Sequence, residues 1–522
     1  MKFKIVDILP TTIEKETIYL VNSNWDDWFE FETVYIVHYQ RTHIGGIKIG
    51  RKGQTERRAV LPSEFSALPQ DYFSLGTYVD YYTNLNKLEC RENILVALRD
   101  IAYDLQLFDE VRAERVTRIS LLRDIYPNMV RGQLHRIADG GAPLTNYDFK
   151  YILPDKEIWG DDYQHLDFQV DIERKTPPSN IHVLIGNNGI GKTTILKSMI
   201  HALVEDSDFK KYGTFETNWS ENFSNIVHIS FSAFDMPIFP ENLSNAKLPY
   251  MYVGLMTLRH DSNEKLHLSL KNRNELSELF FENYYNIITC QKKTLWERSL
   301  DILEADGTFQ ALDLKTWSKK DDTVFTEYIR STPPTENETE SMFKKRVHKQ
   351  YFQEQISKLF KSLSSGHKNI LLTLASLVNL VEEKTLVLLD EPEEHLHPPL
   401  VSAFIRALSE LLTYRNGVAI IATHSPVIVQ EVPKKCVWIL RRAGKYRKFE
   451  RPQIETFGEN LGELTTEIFG YEVLNSGFHK ILKDISQKEE TYNDALEHFH
   501  NELGNEAKSI LKTYMYERET YD

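Results

Sequence analysis

Cysteine is scarce. Cys90, Cys290 and Cys436 are the only three in 522 residues, and none stands near enough to another to form a Cys-x-x-Cys pair. That spacing disfavours zinc domains and disulfide scaffolds and fits a reducing compartment. Long apolar runs are missing as well. The longest nearly apolar stretch, Ile370 to Val381, is broken by Thr373, Ser376 and Asn379, and it falls well short of the roughly 20 residues that span a bilayer. Met1-Lys2-Phe3-Lys4-Ile5-Val6-Asp7 brings in an acid too early for a signal peptide. The expectation is a cytoplasmic chain with no membrane association. Positive charge is not in excess either: 62 Lys and Arg against 76 Asp and Glu give a formal net charge of −14. Any nucleic-acid contact therefore has to come from a local patch or from a partner. There is no internal repeat and no long low-complexity segment.

The remaining composition, 41% hydrophobic and 11% aromatic, is that of a globular protein, and the length allows roughly two to four folding units. Trp28 to Ile49 is rich in β-branched and aromatic residues and reads as an antiparallel hairpin turning at Gly45-Gly46. Residues 88 to 138 carry apolar positions at helical spacing, and Phe149 to Leu153 and Leu166 to Ile172 return to strand character. Residues 263 to 362 read as mainly helical, with breaks at Ala305-Asp306-Gly307 and at Ser331 to Glu336. Ile181–Ile185, Ile226–Ser230, Leu386–Leu389 and Val418–Ala422 are short buried strands. A helix with Leu400, Phe404, Leu408, Leu411 and Leu412 on one face lies between the last two.

The chemistry is concentrated in four segments. Gly186-Asn187-Asn188-Gly189-Ile190-Gly191-Lys192-Thr193 follows a strand and opens a helix from Lys192 to Val204, the context a phosphate-binding loop requires. Backbone N–H groups of Asn187, Asn188, Gly189, Gly191 and Thr194 suit a phosphate cradle. Lys192 reaches the β and γ phosphates, and the Thr193 hydroxyl can coordinate Mg2+. Leu386-Val387-Leu388-Leu389-Asp390-Glu391-Pro392 delivers two acids at the end of an apolar strand, where open α/β sheets present ligands. Asp390 suits a Mg2+ shell and Glu391 can polarise an attacking water. ATP and Mg2+ are the expected cofactors.

Leu363-Ser364-Ser365-Gly366-His367 opens an apolar helix ahead of that strand, and Thr423-His424-Ser425-Pro426 follows the last core strand. In this order the segments resemble the soluble ABC-type ATPases. The resemblance implies an α/β head with a mixed sheet and an inserted helical lobe. It implies that Ser364, Ser365 and Gly366 bind the γ phosphate held by the opposite subunit of an ATP-sandwiched homodimer, with higher oligomers left open. It also makes His424 the switch histidine, so Glu391, His424 and Lys192 are the expected catalytic residues. One departure stands out. Where this family carries a glutamine after the second core strand, the chain reads Ser230-Phe231-Ser232-Ala233-Phe234-Asp235, which leaves room for slow or regulatory hydrolysis. Glu394-His395-Leu396-His397-Pro398 corresponds to the subunit-contact loop; its two imidazoles lack an apparent third metal ligand.

The Asp-Glu-Pro-Glu-Glu-His-Leu-His-Pro run together with Ala422 to Pro426 resembles the branch that includes RecF-like, OLD-type and defence ATPases. Septu-type anti-phage ATPases, including retron-associated forms, are the most similar. The likeness covers the head motifs and, more loosely, Tyr72 to Gly76 and Glu455 to Asn460. This resemblance implies a separate HNH-type nuclease as partner; a RecF-like factor that binds DNA directly is the alternative. No nuclease motif is found in the chain itself. The segment Lys434 to Arg451 has eight basic residues and one acid, which suits either a phosphate contact or a solvated sheet edge. The expected organisation is a first ATPase lobe over 1–262, a helical lobe with the signature segment over 263–385, the second half of the core over 386–450, and a helical docking region over 451–522.

Overall fold

The computed structural model describes all residues except 24–29, 124, 126, 141–144, 155–164, 172–173, 175, 205–208, 217–222, 233–235, 240–246, 261–265, 290–291, 320–321, 336–337, 444–445, 471–476 and 522. Trp28, Phe29, Cys290, Ala233, Phe234 and Asp235 lie outside the described residues.

The N-terminal segment is more than a hairpin. β1 (Lys2–Val6), β2 (Thr17–Asn22), β3 (Val34–Tyr39), β4 (Thr42–Arg51), β5 (Glu64–Phe65) and β6 (Tyr72–Gly76) form one sheet in the order β5-β1-β2-β3-β4-β6. Helical residues between Val79 and Ala138 cover it, and Phe3, Ile18, Val37, Phe73, Tyr81 and Phe108 belong to its own buried cluster. The expected turn at Gly45-Gly46 is displaced. The chain turns at Gln40-Arg41, both with positive φ (46° and 66°), and the two glycines lie inside β4. Their role is close approach: a Cβ on Gly45 would meet Tyr81 Cα at 3.0 Å, and one on Gly46 would meet Thr77 Oγ1 at 2.5 Å. Only glycine lets the helix Val79–Leu85 pack that near the strand.

The remainder contributes β7 (Tyr147–Ile152), β8 (His165–Val170), β9 (Ile181–Gly186), β10 (Thr214–Phe215), β11 (Asn225–Ser230), β12 (Tyr250–Gly254), β13 (Met256–His260), β14 (Leu266–Leu270), β15 (Thr385–Asp390), β16 (Val418–Thr423), β17 (Val437–Ala443) and β18 (Tyr446–Glu450). Seven of these make the central sheet, β12-β11-β15-β16-β9-β17-β18. It is parallel from β12 to β17, and β18 is antiparallel at the edge. The inner strands are buried on both faces, which is why they read as continuous apolar runs. Alternate residues feed two cores: Val183, Ile185, Val387 and Leu389 face one, Leu184, Leu386 and Leu388 the other.

The first core is covered by α2 (Arg273–Thr289), α3 (Glu340–Ser362), α4 (Ser365–Leu380) and α5 (Pro398–Arg415); the second by α1 (Lys192–Val204) and the antiparallel sheet β10-β7-β8. The 263–362 region is therefore not helical from its start, because β14 pairs with β13 as far as Leu270. Glu383, just before β15, ties the N-terminal unit to this head by accepting from Gln133 N–H and from Arg136 Nη2 at 3.1 Å. At the C-terminus, Gly477–Ser486, Tyr492–His498 and Asn505–Tyr521 pack around Leu482, Ile485, Ala495, Leu511 and Met515. No helix among the described residues is long and apolar enough to cross a membrane.

Candidate active site

The sheet order places three loops side by side. β9 lies against β16 and β16 against β15, so the segments after Gly186, Thr423 and Asp390 leave the same carboxyl edge. The glycine-rich loop bends through positive φ at Gly189 (72°) and Gly191 (104°) before α1 begins. Gly186 is held for a different reason: a Cβ there would sit 2.4 Å from Leu440 O of the neighbouring strand. Asn188, Gly189 and Thr194 are exposed, and Asn187, Gly191 and Thr193 are partly buried.

Lys192 is 5% exposed, and its Nζ donates to Gly186 O (2.9 Å) and Asn187 O (3.2 Å) of its own loop. Burial lowers its pKa, and the nearby charges of Glu391, Asp390 and Glu393 oppose that shift. An ammonium drawn toward an acidic sheet edge and bonded, among the described residues, to loop carbonyls suits a group that transfers to phosphate oxygens.

Asp390 ends β15 at 6% exposure. Glu391 extends the ladder by one bond, donating its N–H to Ala422 O at 2.8 Å, and then reverses the chain with φ 47°. His424 Nδ1 lies 3.5 Å from Glu391 Oε1 and 3.5 Å from Glu393 Oε1. Thus Lys192, Asp390, Glu391 and His424 are brought to one edge. Glu393 was not among the residues singled out from sequence. It accepts hydrogen bonds from the Thr423 hydroxyl and from His424 N–H (3.1 Å). Its only sequence signal is the second glutamate of Asp-Glu-Pro-Glu.

The signature segment stands on a separate element. Ser364 is the N-cap of α4 and accepts from His367 N–H at 3.2 Å; Ser365 is exposed. A Cβ on Gly366 would lie 2.6 Å from His395 O, so the helix start and the loop after β15 pack against each other within one chain. Asp306, read from sequence only as part of a break, joins them: His397 Nε2 lies 2.7 Å from its Oδ2, and Thr308, which donates to Asp306, lies 3.3 Å from His367 Nε2. Where a glutamine was expected, Phe231 is buried, and it lines a small cleft with Asn369, Thr373, Glu391 and Glu394.

Three of the eight basic residues of Lys434 to Arg451 are engaged within the fold. Arg441 pairs with Glu450 and donates to Ile468 O (3.0 Å) and Glu467 O (2.5 Å). Arg451 stacks 3.7 Å over the Trp438 ring and pairs with Asp167 at 3.1 Å, and Lys448 lies 3.0 Å from Glu450. Of the two readings of this stretch, these three cations fit the sheet edge.

Comparison with known proteins gives three kinds of likeness. Residues 181–430 match the family described as "AAA domain, putative AbiEii toxin, Type IV TA system". The chain is 36% identical over 526 residues to Protein ea59 of Escherichia phage lambda, covering 97% of this chain and 96% of that one. A 96-residue stretch is 30% identical to the "Retron Ec83 probable ATPase" of Escherichia coli, 16% of this chain and 17% of that protein. Among solved structures, the SMC head domain from Thermotoga maritima matches with a TM-score of 0.27 at 11% identity over 59% of this chain and 98% of its own. A nucleotide-free ATP-binding cassette from an ABC transporter matches with a TM-score of 0.26 at 14% identity, over 62% of this chain and 95% of its own. The near full-length match places the chain in the family of Protein ea59, and residues 181–430, which carry the phosphate loop and the acidic strand end, are those of an AAA-domain P-loop ATPase.

Proposed function

We propose that this ATPase is the regulatory subunit of an anti-phage defence complex of the Septu type, closing as a homodimer over ATP and controlling a separate HNH-type nuclease. The observation that carries the dimer is the division of the site. Lys192, Asp390, Glu391 and His424 share one sheet edge, while Ser364, Ser365 and Gly366 start a helix beside the loop that follows it. Each chain then offers one half of a composite site and completes its partner's. The defence setting rests on the retron ATPase relative and on the head motifs. RecF-like direct DNA binding is the weaker alternative, because Arg441 and Arg451 are engaged within the fold.

In this reading Lys192 holds the β and γ phosphates and the glycine-rich loop cradles them. Glu391 orients and polarises the attacking water, and His424 contacts the γ phosphate. Thr193 and Asp390 are hard oxygen donors beside the phosphate loop and fit Mg2+, which would neutralise charge on the phosphate oxygens. From His424 the chain continues through β17 and β18 into the C-terminal helices, the proposed docking region for the nuclease.

The test is Glu391→Gln. Loss of the polarising carboxylate with Asp390 retained should lower kcat by about 100-fold or more. The ATP-bound form should persist as a dimer in light scattering and retain a co-expressed HNH nuclease on affinity purification. Wild-type turnover would remove Glu391 from its role, and a monomer in ATP would remove the sandwich.

A further inference from the structure

Glu393 occupies an unusual position for a charged side chain. It lies two residues beyond Glu391, its side chain is 8% exposed, and it belongs to neither the phosphate loop nor the strand-end pair. Burying a carboxylate is costly unless it is well partnered. Among the described residues its hydrogen-bond partners lie at the end of β16. The Thr423 hydroxyl and the His424 backbone N–H both donate to its Oε1, and Ser425 N–H donates to Thr423 Oγ1 at 2.9 Å. His424 Nδ1 stands 3.5 Å from the same oxygen. One carboxylate oxygen therefore engages the histidine from its backbone side and its ring side, and holds Thr423 directly and Ser425 through the Thr423 hydroxyl.

The loop geometry explains how Glu393 gets there. Glu391 reverses the chain at φ 47°, Glu394 N–H closes the turn onto Glu391 O at 3.2 Å, and Leu396 N–H bonds to Glu393 O at 3.0 Å. This turn carries the Glu393 side chain from the end of β15 to the end of β16. Its other oxygen, Oε2, is buried and accepts no hydrogen bond from the described residues.

We infer that Glu393 is a positioning residue for ATP hydrolysis, clamping Thr423 and His424 so that the imidazole faces the γ phosphate. The inference rests on the proposed role of His424 and adds the residue that holds it. It assigns the two glutamates different tasks: Glu391 acts on water, and Glu393 acts through the histidine.

The experiment uses the full chain with Glu393→Gln, Thr423→Val, their combination, Thr423→Ser and His424→Ala. Steady-state ATP hydrolysis is measured together with the histidine ring signals of nucleotide-free protein carrying 13C-labelled histidine. Glu393→Gln should lower kcat about 10- to 100-fold, leave KM within about 3-fold, and shift the His424 ring signal, which is the one missing from His424→Ala. Thr423→Val should do the same and Thr423→Ser should not. The double variant should be no slower than the slower single one, because both substitutions break one path. Should Glu393→Gln not fold, the contrast of Thr423→Val with Thr423→Ser decides the matter.

Wild-type kcat with an unmoved His424 signal in Glu393→Gln would overturn the inference, as would multiplicative losses in the double variant. Wild-type turnover in His424→Ala would instead remove the role of His424 itself, and the ring signal separates that failure from the failure of the clamp.

Discussion

The N-terminal sheet and the ATPase head each bury a lysine and an aspartate, and they use them in opposite ways. In the N-terminal unit, Lys48 is 1% exposed and donates to Ser120 O at 2.5 Å, while the Ser120 hydroxyl pairs with that of Thr33 at 2.6 Å. Asp100 is likewise enclosed: it accepts from Tyr82 Oη (2.9 Å), Ala102 N–H (2.9 Å) and Tyr103 N–H (3.0 Å). Every one of these partners belongs to the same unit. In the head, Lys192 bonds, among the described residues, to carbonyls of its own glycine-rich loop, and Asp390 ends its strand among Glu391 and Glu393 near the ammonium. A buried charge surrounded by partners from its own unit organises a fold. One that gathers with like charges at a sheet edge is arranged for a ligand.

Replacing each lysine in turn is the most severe test of this contrast. Lys192→Ala should lower kcat/KM for ATP on the order of 1,000-fold, since the phosphate-binding ammonium is lost, with little change in melting temperature. Lys48→Met should do the reverse. Leaving the Ser120 carbonyl without its partner should cost about 1–3 kcal/mol of stability, visible in urea unfolding, with ATP affinity intact. A Lys48 variant that loses ATP binding while folded would dissolve the distinction.

Asp100 sharpens the same comparison through pH. Burial pushes its carboxyl up to about 7, against its hydrogen bonds from Tyr103, Tyr82 and Ala102. The folded state therefore holds the proton more tightly than the unfolded chain, whose aspartate titrates near about 3.9. The resulting stabilisation is complete below about 3.9 and is lost as pH rises through about 7, a change of at most about 4 kcal/mol. Unfolding of wild type and Asp100→Asn compared between pH 4 and 8 should show wild type losing ground as pH rises. A constant difference would mean that Asp100 is ionised throughout.

The head was far more legible in the sequence than the N-terminal unit. Its strands are buried on both faces, so Ile181–Ile185 and Val418–Ala422 stand out as apolar runs, and Gly186 to Thr193 and Asp390-Glu391 carry their chemistry in fixed spacing. In the N-terminal sheet, β1 pairs in parallel with β2, and the two-residue β5 pairs with β1; neither pairing leaves a local turn signal. Gly45-Gly46 misled because a glycine pair marks close packing as well as a turn, and the turn residues are Gln40 and Arg41. Glu393, Asp306 and the engagement of Arg441 and Arg451 were not legible because each depends on a partner distant in sequence. Charge counting finds such residues but cannot tell a spent cation from an available one.

The smallest expected effect lies at the junction between the loop after β15 and the start of α4, and its pH dependence has the opposite sign to that of Asp100. Asp306 accepts hydrogen bonds from Thr308 N–H (2.9 Å), Phe309 N–H (3.1 Å) and the Thr308 hydroxyl (2.5 Å), with His397 Nε2 at 2.7 Å. The Thr308 hydrogen bond, seconded by His397, holds its carboxyl down at about 2. Here the folded state prefers the ionised form, so the contribution is fully present above about 3.9 and is lost as pH falls through about 2. The advantage of wild type over Asp306→Asn in urea unfolding should be constant from pH 7 to about 4 and shrink below that. Shrinkage already complete at pH 5 would show that the carboxylate is not held by these donors. The link between His397 and α4, which sets the signature segment against the loop after β15, would then have to be made by other contacts.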